Sequence, residues 1–152
     1  MKNAVVVCLM LVSLLGSPET FTLADRVGEP NARNFFLFST SAGNYTIRQD
    51  GMGEVASPKG MRRVFNLKVG TKGRLERVYF LEHEGDLLLL YDVMGHGSYL
   101  LRMEQKKRKA RWLTPLESSN LQPPIVAGDL VIIKEENGNT IEINKADGRV
   151  SN

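Results

Sequence analysis

The chain has 152 residues, of which 42% are hydrophobic and 24% charged, and this composition excludes a disordered chain and a membrane-embedded body. Its single cysteine, Cys8, lies in the N-terminal apolar segment, so the rest of the chain has no disulfide, thiol nucleophile or cysteine-bound metal. The net charge of +3 comes from one basic run, and without this run the chain is slightly acidic. The run comprises Lys106, Lys107, Arg108, Lys109 and Arg111. Because the excess of positive charge is confined to this run, a broad nucleic-acid-binding surface is excluded.

The first 24 residues are predicted to be a cleaved export signal. One positive charge, Lys2, precedes the twelve-residue apolar stretch Ala4–Leu15. A helix of this length cannot span a ~30 Å hydrocarbon core, but it suits the apolar core of a signal peptide. Small residues at Thr22 and Ala24 predict cleavage after Ala24, which leaves 128 of the 152 residues. We therefore expect a secreted or periplasmic protein whose mature chain has no transmembrane segment. A short uncleaved anchor is the alternative.

The mature chain is predicted to consist of a polar linker over 25–34 and a β domain over 35–152. It has no sustained 3.6-residue apolar period, and short runs of Val, Ile, Leu, Phe and Tyr are separated by Gly, Asn, Asp and Pro. Gly51-Met52-Gly53 is predicted to be a turn. The predicted strands are 35–40, 44–49, 62–69, 74–82, 87–93, 98–104, 110–114, 130–136, 139–144 and 148–151.

Apolar patterning predicts how the strands are covered. In 62–69, Phe65 and Leu67 alternate with Val64 and Asn66, which is typical of a strand with one buried and one wet face. Three segments are instead apolar at four consecutive positions, which predicts cover on both faces. Sheets of this kind must stack on one another or wrap around a core. The three quartets are Phe35–Phe38, Leu87–Leu90 and Leu130–Ile133.

The quartets belong to a repeated pattern. A glycine follows eight residues after the first member of each quartet, at Gly43, Gly95 and Gly138. The dipeptides Gly85-Asp86 and Gly128-Asp129 precede the second and third quartets. The quartets begin 52 and 43 residues apart, and periods of about 40–50 residues with several strands per unit are typical of propeller blades.

The last unit carries a sharper resemblance. Residues 122–150 begin with Gln-Pro-Pro, continue through Gly128-Asp129 and Gly138, and end with Lys-Ala-Asp-Gly148-Arg-Val. This resembles one repeat of the pyrroloquinoline-quinone-like (quinoprotein) β-propeller family. The middle unit matches in part, through Gly85-Asp86 and the Ala-Arg-Trp112 sequence of its closing strand, so the likeness covers about 79–150.

The resemblance implies a fold more than an activity. It implies four-stranded antiparallel blades with Trp112 between neighbouring blades, although Trp112 also suits the core of an unrelated sheet. Enzymes of the family hold a quinone and a metal in a central funnel, but this sequence has no matching catalytic or metal-binding set. We therefore expect no cofactor. The basic Lys106–Lys109 segment replaces the usual Gly turn, and the last unit stops before a closing Trp.

The sequence thus predicts an all-β fold of about three blade-like antiparallel repeats. Because propellers typically have 4–8 blades, three cannot close a ring by themselves. Either a partner chain or a second copy completes the ring, or the chain is a truncated relative of the family. A compact β-barrel or sandwich is the alternative fold.

Two clusters are candidate sites. The basic run would form a cationic hairpin tip that contacts an anionic partner, or a solvated turn with no partner. The segment Glu82–Asp86, which contains His83, is interpreted as a solvated turn in preference to a metal or acid–base cluster. The expected function is an exported, non-enzymatic module for protein contacts or assembly. The alternatives are a divergent relative of a quinoprotein dehydrogenase and a small barrel that binds an apolar ligand.

Overall fold

The all-β prediction is confirmed. A computed structural model describes residues 21–23 and 35–151, and every regular element in this part of the chain is a strand. None of these residues forms a helix long and apolar enough to cross a membrane. The strands are β1 (Phe21–Leu23), β2 (Phe35–Thr40), β3 (Gly43–Arg48), β4 (Met52–Ala56), β5 (Arg62–Asn66), β6 (Leu75–His83), β7 (Asp86–Val93), β8 (Gly97–Glu104), β9 (Lys109–Leu116), β10 (Ile125–Ala127), β11 (Leu130–Lys134) and β12 (Thr140–Asn144).

The strands form three antiparallel sheets in chain order. The first sheet is β2-β3-β4-β5, the second is β6-β7-β8-β9 with β1 added beside β6, and the third is β10-β11-β12. Apart from β1, the strands of each sheet pair with their neighbours in sequence, so each sheet is an antiparallel meander. The strand predicted over 148–151 is reduced to one bridge, between Val150 and Ile143, at the position of a fourth strand in the third sheet.

The sheets stack face to face, with the second sheet in the middle. One core lies between the first and second sheets and contains Phe36, Ile47 and Leu89, among others. A separate core lies between the second and third sheets and contains Leu88 and Val131. No described sheet closes on itself, so the barrel alternative is wrong.

The position in the stack explains which quartets are covered. Leu87–Leu90 in β7 is fully buried, as predicted, because sheets cover both faces of β7. The prediction is wrong for Phe35–Phe38, since Leu37 is 44% exposed on the outer face of the first sheet. It is also wrong for the outer positions of Leu130–Ile133, where Leu130 and Ile132 are only half-buried. These two sheets lie at the ends of the stack.

The repeat has a different register from the one predicted. Phe35–Phe38 lies in the first strand of its sheet, whereas Leu87–Leu90 and Leu130–Ile133 lie in second strands. The three second strands, β3, β7 and β11, begin at residues 43, 86 and 130, which are 43 and 44 residues apart. The period near 43 residues therefore relates all three sheets, and the 52-residue spacing relates strands that are not equivalent.

Strand β4 was missed because of its glycine. Gly53 pairs with Phe65 across β4 and β5, and a Cβ at position 53 would lie 2.2 Å from Cζ of the Phe65 ring. The ring therefore occupies the space above Gly53, and glycine is required in the strand for this close approach. The predicted alternation in β5 is confirmed, because Phe65 is buried and Val64 is 59% exposed.

Candidate functional site

Several hairpin turns meet at one end of the stack, which we call the turn end. The turn after β2 contacts the end of β6, where the backbone N–H and the hydroxyl of Ser41 both donate to Glu82 Oε1, at 2.6 and 2.8 Å. Arg63 of β5 donates from Nη1 to the carbonyl oxygen of Lys106, at 3.2 Å. Arg102 of β8 donates from Nη1 to the carbonyl oxygen of Lys145, at 2.7 Å. All three sheets therefore contribute to this end.

The basic run lies at the turn end, and its five side chains have different environments. Arg111 donates from Nε to Asp86 Oδ2 at 2.7 Å, so its charge is matched within the protein. Lys107 Nζ lies 3.4 Å from Glu104 Oε1, and Lys109 is exposed. Of the five, only Lys106 and Arg108 line a cleft between the first and second sheets, which is described below. Two of the five predicted side chains therefore line one cleft, and the contact of the run with an anionic partner stays a prediction.

Asp86 is the centre of an ionic cluster between the second and third sheets. It is 1% exposed, and its Oδ2 accepts from Arg102 Nε at 2.6 Å as well as from Arg111. Glu84 Oε2 lies 3.7 Å from Arg102 Nη2 and 3.2 Å from Nε2 of His83, which is itself buried. The interpretation of Glu82–Asp86 as a solvated turn is therefore wrong for most of the segment. Only the two turn residues, Glu84 and Gly85, are exposed.

Trp112 lies between the second and third sheets, in the core that joins them. It is 9% exposed, and its indole N–H donates to the carbonyl oxygen of Lys145. The repeat glycines Gly43, Gly85, Gly95, Gly128, Gly138 and Gly148 all have positive φ. Gly148 also packs against the Trp112 ring. In contrast to Asp86, the matching Asp129 is exposed.

A second polar cluster joins the first and second sheets. Gln105 accepts at Oε1 from the hydroxyls of Tyr45 and Thr40, both at 3.0 Å, and donates from Nε2 to Glu82 Oε1 at 3.2 Å. Burial raises the pKa of Tyr45 to about 12, and the negative charge of Glu82 adds to this effect, so the hydroxyl stays protonated and donates. Burial alone would raise the pKa of Glu82, but hydrogen bonds from Ser41 and Gln105 outweigh it and lower the pKa.

Beside this cluster is the basic cleft, with a volume of about 260 Å³. It lies between the β4–β5 turn of the first sheet and the β8–β9 turn of the second. Arg108 has φ of 50°, and its Nη1 is buried with no hydrogen-bond acceptor among the described residues. The residues that line the cleft are Ala42, Val55, Ser57, Met61, Arg63, Gln105, Lys106 and Arg108.

The predicted sites did not include Arg63 or Arg102. Glu82 was interpreted as part of a solvated turn, and Gln105 had no predicted role of its own. Arg102 had a detectable signal, because it is a charged residue inside the apolar run Leu100–Met103 of a predicted strand. A buried strand position of this kind requires a charged partner. Arg63 and Gln105 had no such signal, since they become neighbours of the cleft only when two sheets stack.

The outer faces of the end sheets are the other candidate surface. Leu37, Met52 and Val64 lie on the outer face of the first sheet and are 44%, 44% and 59% exposed. Ile125, at 55% exposed, lies on the outer face of the third sheet beside Ile132. Polar side chains, among them Thr46, Glu54 and Glu142, lie on the same faces between these apolar ones, and no described sheet covers either face.

No protein-family model and no curated protein matches this chain at a significant level. Within the two described ranges, no group of three or more His, Cys, Asp or Glu side chains is placed to hold a metal ion. The basic cleft and the two outer sheet faces are the candidate surfaces of the described residues.

Proposed function

We propose that this chain is an exported, non-enzymatic β-repeat protein that acts as an assembly module, and that its partner is a second copy of itself. The observation that carries the proposal is the difference between the second sheet and its neighbours. The second sheet is covered on both faces, whereas the first and third sheets each leave one face with exposed apolar side chains. Blade-like units bury such faces by stacking on a neighbour.

Two copies would complete a ring of six sheets. The outer face of the third sheet, with Ile125, would stack on the outer face of the first sheet of the other copy, with Leu37 and Val64. A two-fold arrangement makes this contact twice and closes the assembly. Six blades fall within the range of 4–8 that propellers use. The apolar faces would be removed from water at both contacts.

The sequence supports the remaining parts of the proposal. The resemblance of residues 79–150 to quinoprotein-like repeats supports blades as the stacking unit. Export rests on Lys2, the apolar stretch Ala4–Leu15 and the small residue at Ala24. These signal residues lie outside the described part of the chain.

The proposal is tested by measuring the molar mass of the chain that begins at Asp25, by light scattering over a range of concentrations. We expect twice the protomer mass, and a shift to the protomer mass for Val64→Glu, because a carboxylate at the interface would be desolvated. Met94→Glu is the matched control: Met94 is 53% exposed in the turn after β7, away from both outer faces. A wild-type chain that stays at the protomer mass, or two variants that behave alike, would contradict the proposal.

A further inference from the structure

We propose that the basic cleft binds a small organic anion, namely a carboxylate attached to a short apolar chain. This site is separate from the outer sheet faces, so the outcome of its test does not depend on whether the chain assembles. It uses two of the five residues of the basic run, Lys106 and Arg108, together with Arg63 of the first sheet.

The charges around the cleft favour an anion. Three of the eight lining residues, Arg63, Lys106 and Arg108, are cationic, and none is acidic. The nearby carboxylate of Glu82 accepts hydrogen bonds from Ser41 and Gln105, so it is engaged with other groups. The cleft therefore carries an excess of positive charge without a carboxylate of its own.

Arg108 provides the most specific observation. Its Nη1 is buried, and the described residues offer it no hydrogen-bond acceptor. The neighbouring hydroxyl of Tyr45 does not become an anionic partner, because it stays protonated and donates to Gln105. A buried guanidinium nitrogen without an acceptor is unfavourable, and a carboxylate has the two oxygens that match a guanidinium. Binding a carboxylate would therefore supply what this side chain lacks.

The rest of the lining limits the size and character of the anion. Ala42, Val55 and Met61 give the cleft an apolar wall, and Ser57 adds a hydroxyl. A volume of about 260 Å³ is below the ~300–1,000 Å³ typical of pockets for drug-sized ligands. The cleft thus suits a carboxylate with a few methylene groups. Such a group could be a free acid or the C-terminal residue of a peptide.

The test uses sodium hexanoate as the probe and follows backbone amide signals of the full chain by NMR. We expect saturable shifts at Ser57, Gln105 and Lys106. Hexanamide, which lacks the charge, and acetate, which lacks the chain, are expected to bind at least about tenfold more weakly. A hexapeptide ending in leucine, with a free or an amidated C-terminus, separates the two sources. Tighter binding of the free peptide than of hexanoate assigns the site to peptide ends, and the reverse order assigns it to free acids.

Two variants and one matched control locate the site. Arg108→Gln is expected to weaken hexanoate binding by about tenfold. Lys106→Gln removes an exposed charge without affecting the core and is expected to weaken it by about threefold. Lys109→Gln makes the same change at the first residue of β9, next to the β8–β9 turn but outside the cleft, and should leave binding unchanged. The proposal is overturned by any one of three results. These are equal effects of Lys106→Gln and Lys109→Gln, equal binding of hexanoate and hexanamide, and the absence of saturable shifts.

Discussion

The indole N–H of Trp112 donates a hydrogen bond to the carbonyl oxygen of Lys145, with 3.0 Å between the two atoms. The same carbonyl accepts from Arg102 Nη1, and the hydroxyl of Thr114 donates to the carbonyl of Gly148. Three side chains of the second sheet thus bind backbone carbonyls of the turn that follows β12. This turn therefore fixes the third sheet against the second in addition to the apolar core between them.

Gly148→Ala tests this junction. Gly148 has φ of 76°, and a Cβ there would lie 2.6 Å from Cδ2 of Trp112. We expect the free energy of unfolding to fall by about 2–4 kcal/mol, from backbone strain and overpacking together. Urea denaturation measures the change. Gly138→Ala is the control, because φ there is 90° but no atom lies within 4 Å of the new Cβ. Equal losses in both variants would show that the contact with Trp112 contributes nothing.

Asp86→Asn tests the ionic cluster between the second and third sheets. The change removes the buried carboxylate that pairs with Arg102 and leaves the exposed Glu84, 3.7 Å away, as its remaining charged partner. We expect the free energy of unfolding to fall by about 3 kcal/mol. Glu54→Gln removes an exposed carboxylate 3.4 Å from Arg62 and should change stability by less than about 0.5 kcal/mol. Thermal or urea unfolding at neutral pH compares the two. A loss no larger than that of the control would show that the cluster is not stabilising.

Asp92 gives a pH-dependent prediction. Burial raises the pKa of Asp92, although its hydrogen bond with Ser98 and the charge of Arg77 act in the opposite direction. Ser98 Oγ lies 2.7 Å from Asp92 Oδ1 and 2.8 Å from the carbonyl oxygen of Ser118. The Ser98 hydroxyl has one hydrogen, so its donation is divided between Asp92 and the carbonyl oxygen of Ser118. Arg77 Nε lies 3.8 Å from Asp92 Oδ2.

The direction of the pH dependence follows from this raised pKa. Above pH ~4 the unfolded chain releases the Asp92 proton while the folded chain retains it, so stability falls until the pH passes the folded pKa. Asp92→Asn cannot ionise. We therefore expect the stability of the variant, relative to wild type, to rise as the pH increases from about 4. Urea denaturation between pH 3.5 and 7 measures this difference, and a constant or falling difference would contradict the prediction.

The export signal predicts a defined N-terminus. A chain expressed with its own first residues should be recovered outside the cytoplasm beginning at Asp25, as measured by mass spectrometry. Removing the first 24 residues also removes β1, but the four strands β6–β9 remain. Ala24→Tyr is the control, because a large residue at the cleavage position should block processing. An exported chain that still begins at Met1 would show that the segment is not cleaved.

The sequence predicted the second sheet well, because its strands carry strong apolar signals and clear turns. The type I′ turn at Glu84-Gly85 and the buried Leu87–Leu90 quartet are local features. It predicted the first sheet less well. Because of Gly53, the start of β4 was predicted to be a turn. The apolar run of β2 did not indicate that Leu37 is exposed on the outer face of the first sheet. Whether an apolar strand residue is exposed depends on whether another sheet covers its face. The periodicity of apolar residues in the sequence does not contain this information.

The candidate sites were less predictable than the strands. The basic run was recognisable in the sequence as five cations. Which partner each side chain has depends on strand register, because the register directs Arg111 towards Asp86 and Arg108 towards the cleft. Arg63 and Lys106 are 43 residues apart and meet only because the first and second sheets stack. The same holds for Glu82 and Ser41, which are 41 residues apart. Contacts of this length carry no local sequence signal.

Cross-linking of single-cysteine variants tests the proposed assembly most directly. The chain that begins at Asp25 lacks Cys8, so Val64→Cys and Ile125→Cys each provide one thiol. The two variants are mixed, with the Ile125→Cys protein ¹⁵N-labelled, and are treated with a short bis-maleimide before mass spectrometry. We expect mainly mixed dimers, since the first sheet of one copy would contact the third sheet of the other. Dimers formed mainly between two Val64→Cys chains, or no dimers, would contradict it.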